Sequence, residues 1–339
     1  MGTPDATPSR RTFDYKIVLL LLSVAAAVAY VYYDRIHRPN LAIRLTLHDQ
    51  IIQGTALSPY RYRVLVPFTA EILTGVLSAP LSRDRAFLVA YAICDLTATW
   101  CVLLALFVWL REWFTKERSL VGVLFVAATM SIALQDHYFQ PWSLTEAALF
   151  GAALIAIRGR RFWILACLVA VASLNRETAV FIPLAFLATS VDLMSVFTTR
   201  KPELKPMVLF VGLLAVWLVI FGALRYFRGH APPVATMGGL LNANLAPESL
   251  ARAVLSGSLF LGTFWAFAVL GFRSAPRFVR RLALIIPPYV IAIGLWGMWY
   301  EVRLLMPLYF ILVPLGLSFL YDDTVSGQAQ QLRGSPTRR

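Results

Sequence analysis

Charge is scarce in this chain: 14% of its 339 residues are Asp, Glu, Lys or Arg, 59% are hydrophobic, and the mean hydropathy is +0.68. A soluble domain of this length is excluded, because too few polar side chains remain to cover its surface. Cysteine is equally sparse. The three present, Cys94, Cys101 and Cys167, lie inside apolar runs. Cys94 and Cys101 on one helix would stand about 10 Å apart along its axis, too far to bridge, so no disulfide framework is implied. The sequence also has no Walker loop, dinucleotide fingerprint or zinc-ligand spacing, which leaves ATP-driven transport and dinucleotide chemistry without support. Nor does it repeat at half length, as transporters built from duplicated halves do.

What is present is a series of apolar runs, at about 16–33, 64–80, 86–110, 119–135, 145–157, 162–174, 177–192, 206–225, 253–272, 281–299 and 303–320. The pattern predicts an all-α, polytopic transmembrane helix bundle. The first run ends in Tyr30, Tyr32 and Tyr33 without a small-residue cleavage site, so it reads as a retained span, not a signal peptide. The 31 Lys and Arg against 18 Asp and Glu fall in short clusters between the runs, where they set orientation; nucleic acid is not an expected partner.

Clusters at 111–118, 158–161, 200–205 and 273–281 place those loops in the cytoplasm. Parity then allows only two crossings before residue 111, if the N-terminus is also cytoplasmic. The run 64–80, short and interrupted by Pro67 and Glu71, is the one expected not to span. The result is about ten spans in a single domain over 15–321. Residues 34–85 form a long outward loop carrying interfacial helices, and disordered tails occupy 1–14 and 322–339. A cell membrane, in particular a bacterial inner membrane, is the expected location.

On this topology Asp49, Arg61, Arg63, Asp136, His137, Asn175, Arg176, Glu177, Glu301 and Arg303 all gather at the outer face. The long first loop with an acidic residue, the Gly54, Pro59, Tyr60 stretch, the segment Arg61 to Pro67, the Asn175-Arg176-Glu177-Thr178 joint and the late Glu301-x-Arg303 together resemble the polytopic GT-C glycosyltransferases, closest to compact bacterial members. The paired acidic motif of better-known members is missing from the loop. The resemblance implies transfer of a sugar from a polyprenyl-phosphate carrier to an acceptor on the outer side of the membrane, with membrane lipids as the surroundings.

Such a transfer needs a base for the acceptor proton and cations for the departing lipid phosphate. Asp49 is the candidate base, or else a solvated aspartate paired with Arg44 or His48; Asp136 is the second candidate. Arg61 and Arg63 are candidates for the phosphate, or for headgroup anchoring. Two residues apart, they diverge on a strand or a helix, so one of them is expected to reach it. His137 with Asp136, together with His48 and Asp49, offers ligands for Mg²⁺ or Mn²⁺, although no metal spacing rule is met. Asn175, Arg176 and Glu177 join two short apolar runs and are expected below the outer surface, with Arg176 on the carrier phosphate and Glu177 orienting it, or in an internal salt bridge with Glu301 or Arg303. Asp95, Glu146 and Glu71 need partners of their own. Two other functions compete: a flippase or transporter of lipid-linked intermediates, and an inactive partner in a polysaccharide assembly.

Overall fold

The computed structural model describes residues 14–134, 139–191 and 204–321. Among them every regular element is helical, and the one β-bridge pairs Ser58 with Pro233. Helix α1 spans Tyr15–Tyr32 and runs on as a π-helical turn, Tyr33–His37. Asp14 caps it, accepting a bond from the Lys16 amide at 3.1 Å and from Lys116 Nζ at 2.5 Å. The residue expected to close the N-terminal tail thus belongs to the folded body. The Lys116 ammonium and the Lys16 amide hold its carboxyl below the usual carboxylate value.

Two short helices follow, α2 (Leu41–Gln53) and α3 (Leu65–Leu77). At about 1.5 Å per residue α3 is ~20 Å long, too short to cross a ~30 Å hydrocarbon core, as expected for the run 64–80. Helix α2 stops at Gly54, whose φ of 72° is the left-handed conformation that a side chain would strain. The long α4 (Arg83–Leu110) packs against α1, α3, α5 (Lys116–Leu134) and α6 (Trp142–Arg158). Its Trp109 donates from Nε1 to the Phe310 carbonyl at 2.8 Å, tying it to the last helix.

The remaining elements are α7 (Phe162–Asn175), α8 (Phe181–Ser190), α9 (Leu204–Arg228), α10 (Met237–Leu245), α11 (Pro247–Leu261), α12 (Phe264–Leu270), α13 (Arg277–Leu282), α14 (Ile286–Trp296) and α15 (Tyr309–Leu320). Burial separates them. Every residue from Tyr309 to Ser318 of α15 is buried, whereas Leu213 is the one buried residue of α9. Helix α15 is therefore the axis of the bundle, and α9 presents an apolar surface along its length. Gly271, at the end of α12, lets α15 come close: a Cβ there would lie 2.1 Å from the Leu315 carbonyl oxygen.

Among the described residues six helical stretches are long and apolar enough to cross a membrane: Tyr15–His37, Arg83–Leu110, Lys116–Leu134, Leu204–Arg228, Arg277–Trp296 and Val302–Leu320. Helices α11 and α12 make a seventh if counted together, but they are bent by 73° at Gly262. By length and composition the described residues carry six or seven of the expected ten. The difference lies in runs 145–157, 162–174 and 177–192, which fold as α6, α7 and α8 with 17, 14 and 10 residues, or roughly 26, 21 and 15 Å.

Candidate functional site

The extended residue Arg176 breaks the backbone between α7 and a 3-10 turn, Glu177–Val180. Three arginine–glutamate pairs converge around this break. Arg176 Nη1 donates to Glu146 Oε2 at 2.6 Å, and the Thr178 hydroxyl bonds the other oxygen of the same carboxylate. Arg63 donates from Nε and Nη2 to Glu177 Oε2 at 3.2 and 3.1 Å. Arg303 Nη2 donates to Glu301 Oε2 at 2.6 Å, and its Nη1 to Ser143 Oγ at 3.2 Å.

Trp142 links the pairs. Its ring stacks on Tyr60 at 5.5 Å, the Arg63 guanidinium lies 5.1 Å from its centroid, and its carbonyl accepts from Asn175 Nδ2 at 2.9 Å. Burial pulls the Arg63 guanidinium below its ordinary value, and the Glu177 carboxylate opposes that pull.

The expected burial of Asn175 and Arg176 is met, but not the expected partners. Glu177 pairs with Arg63, and Arg303 pairs with its near neighbour Glu301; no salt bridge joins Glu177 to Arg303 among the described residues. The cavity beside Arg176, lined by Glu146, Thr178 and Tyr289, has a volume of about 10 Å³. That is room for one water at most, so the network is a charge-balanced brace between α6, α7 and the Val302–Leu308 turn.

A substrate-sized space lies next to it. An apolar groove of about 460 Å³ runs between α3, α7 and α9, lined by Leu65, Phe68, Ile72, Leu174, Ile220 and Leu224 among others, with Arg228 at its polar end. Its volume falls in the range of small-molecule sites, ~300–1,000 Å³. Arg228 is held by backbone carbonyls: it donates to Arg61 O at 3.2 Å, to Ile52 O at 3.4 Å and to Ile51 O.

Arg61 reciprocates, donating to the carbonyls of Arg228 at 3.3 Å and His230 at 2.7 Å. Among the described residues neither guanidinium has a carboxylate within ion-pair distance, and the two lie within electrostatic range of each other. Arg61 and Arg63 thus diverge as expected, Arg61 to this rim and Arg63 into the brace.

A second polar cluster sits between α1, α2, α3 and α4. His48 Nε2 is 2.8 Å from Glu71 Oε2, and its Nδ1 is 2.9 Å from Tyr91 Oη. His37 Nε2 lies 2.9 Å from Asp95 Oδ2, close enough for an ion pair but outside hydrogen-bond alignment. The buried Arg44 guanidinium lies 5.1 Å from the Tyr91 ring centroid.

Asp49, on α2 and not in a loop, accepts from Arg83 Nη2 at 2.9 Å, with both side chains more than a third exposed; neither Arg44 nor His48 is its partner there. Asp136 and His137 lie outside the described residues. No group of three or more His, Cys, Asp or Glu side chains suited to a metal occurs among the described residues.

The sequence reading missed Arg228, His37 and Tyr91. Arg228 was the readable one: Arg225 and Arg228 close an apolar run three residues apart, before a stretch to residue 247 with no acid at all. No family model, curated protein or solved structure matches the chain.

Proposed function

We propose that the chain is an integral membrane glycosyltransferase that takes a sugar from a polyprenyl-phosphate carrier and passes it to an acceptor at the outer face of a bacterial inner membrane. One observation carries this reading: an apolar groove of about 460 Å³ ends at Arg228, beside Arg61, with no carboxylate paired to either guanidinium among the described residues. A hydrocarbon chain fits the walls, and a phosphate fits the rim, because planar guanidinium donors bind and stabilise the negative charge that grows on a departing phosphate.

In this reading the three ion pairs of the brace hold the turn Tyr60–Tyr62 and helix α7 in register. Val64 donates to the Leu174 carbonyl at 3.0 Å, joining the brace to the groove wall. Helices α6, α7 and the Glu177–Ser190 segment cross a locally thinned bilayer, which completes ten spans and leaves the groove mouth outside.

The test is binding of a polyprenyl-phosphate hexose to the full chain in nanodiscs, read by intrinsic tryptophan fluorescence. Arg228→Ala should weaken binding tenfold or more, with a smaller loss for Arg228→Lys. Equal affinity for the hexose carrier and for a neutral polyprenol, or no binding by the wild type, overturns the reading. Binding without release of the sugar to any hydroxyl acceptor, accompanied by movement of the carrier across vesicles, points to a flippase.

A further inference from the structure

Glu71 stands on α3 with its side chain 46% exposed, one oxygen hydrogen-bonded to His48 Nε2 and the other without a hydrogen bond among the described residues. His48 is 1% exposed and packs its ring edge-on against Phe87 at 5.2 Å. The bonds at its two nitrogens close one consistent proton count: the Tyr91 hydroxyl donates to Nδ1, and Nε2–H donates to an ionised Glu71. This tautomer is assigned from the hydrogen-bond network. A buried imidazole donor thus fixes one carboxylate oxygen and leaves its twin unbonded on a half-exposed side chain.

The position of this pair relates it to the rim. His48 precedes Ile51 and Ile52, whose carbonyls hold Arg228, by one turn of α2. Glu71 follows Phe68, whose ring centroid lies 5.5 Å from the Arg228 guanidinium, by one turn of α3. One turn is ~5.4 Å, so each helix carries its member of the pair one turn along from a residue that touches Arg228. Asp49, by contrast, has an oxygen engaged by Arg83.

We propose that Glu71 is the proton acceptor of the transfer and His48 its positioning residue, an assignment that rests on the transferase reading above. The acceptor's O–H proton passes to the free Glu71 oxygen as the acceptor oxygen bonds to the anomeric carbon. The bond from that carbon to the phosphate oxygen breaks, and its electron pair stays on the lipid phosphate at Arg228 and Arg61. Glu71 later returns its proton to solvent through its exposed edge.

The experiment uses the full chain in nanodiscs with a polyprenyl-phosphate hexose as probe. Glu71 is first labelled with a water-soluble carbodiimide and an amine, with and without the probe, and quantified by mass spectrometry; bound probe should protect it at least fivefold. In single-turnover release of polyprenyl phosphate, with hydroxyl acceptors and water supplied, Glu71→Gln should slow release by roughly 10²- to 10⁴-fold while probe affinity stays within twofold.

His48→Gln should lower kcat more than it raises KM, and Glu71→Asp should recover part of the lost rate. Probe binding with Glu71 unprotected overturns this assignment and leaves the transferase reading standing. So does full release by Glu71→Gln, or loss in Asp49→Asn alone, which would move the base to Asp49. Absence of probe binding in the wild type overturns both.

Discussion

Removing the Arg176 charge is expected to destabilise the bundle severely, and removing Glu146 with it is expected to cost much less than the sum. The two side chains are 8% and 9% exposed and meet at 2.6 Å. At an effective dielectric of about 20, unit charges ~4 Å apart attract by about 4 kcal/mol. Arg176→Met keeps the aliphatic stem and leaves the Glu146 carboxylate with the Thr178 hydroxyl but no cation, at an expected cost of ~3–5 kcal/mol.

Glu146→Gln leaves the opposite imbalance. Arg63 and Arg303 lie within electrostatic range of Arg176, so three guanidinium groups then face two carboxylates. The double variant removes both charges and should recover ~2–4 kcal/mol relative to additivity. Reversible unfolding in mixed micelles, followed by circular dichroism and tryptophan fluorescence, measures all four corners of the cycle. Additivity within about 0.5 kcal/mol would refute the coupling and with it the description of this pair as a brace.

Gly271→Ala should cost ~1–3 kcal/mol, because the new methyl group meets the Leu315 carbonyl oxygen at 2.1 Å; thermal unfolding in detergent reads it, and no loss would mean that α12 and α15 separate freely. With Cys94, Cys101 and Cys167 replaced, Thr55→Cys and Leu240→Cys should react with an impermeant maleimide on intact cells, and Thr115→Cys and Arg160→Cys only after permeabilisation; labelling at 115 from outside would invert the topology. The Asp14 carboxyl is held below its ordinary value by Lys116, so its link to α5 is present above pH ~4 and lost as the pH falls through the lowered folded value. Stability titrated from pH 6 to pH 2 should lose that part in the wild type but not in Asp14→Asn.

Periodicity and charge bias read the membrane class and the long spans well, because those signals are local. The joint at Asn175–Glu177 was also legible: apolar runs too short to reach a surface place their charges inside. Partner choice was not. Glu177 and Arg303 are expected near the same end of their helices, but whether they meet depends on how α7 and the Val302–Leu308 turn rotate about their axes, and apolar runs with no polar face leave rotation unspecified. Arg63 reaches Glu177 across 114 positions of sequence, a separation that no local pattern encodes. The same limit hid the groove. Its walls come from three helices that look alike as sequence, and only their packing makes a space with a cationic end.

The order in which the chain is made gives the three ion pairs different histories. Arg303 and Glu301 emerge together and can enter the lipid already neutral. Glu146 is synthesised 30 residues before Arg176, so on the proposed ten-span reading α6 meets the bilayer with an unmatched carboxylate until α7 and the break after it arrive. Arg63 waits far longer, through the whole of α3 to α7, before Glu177 appears. A nascent chain that has delivered α6 but not Arg176 therefore carries that carboxylate unmatched, and on the ten-span reading a substitution that removes Arg176 should be seen first as failed integration of α6 and only later as lost stability in the finished protein.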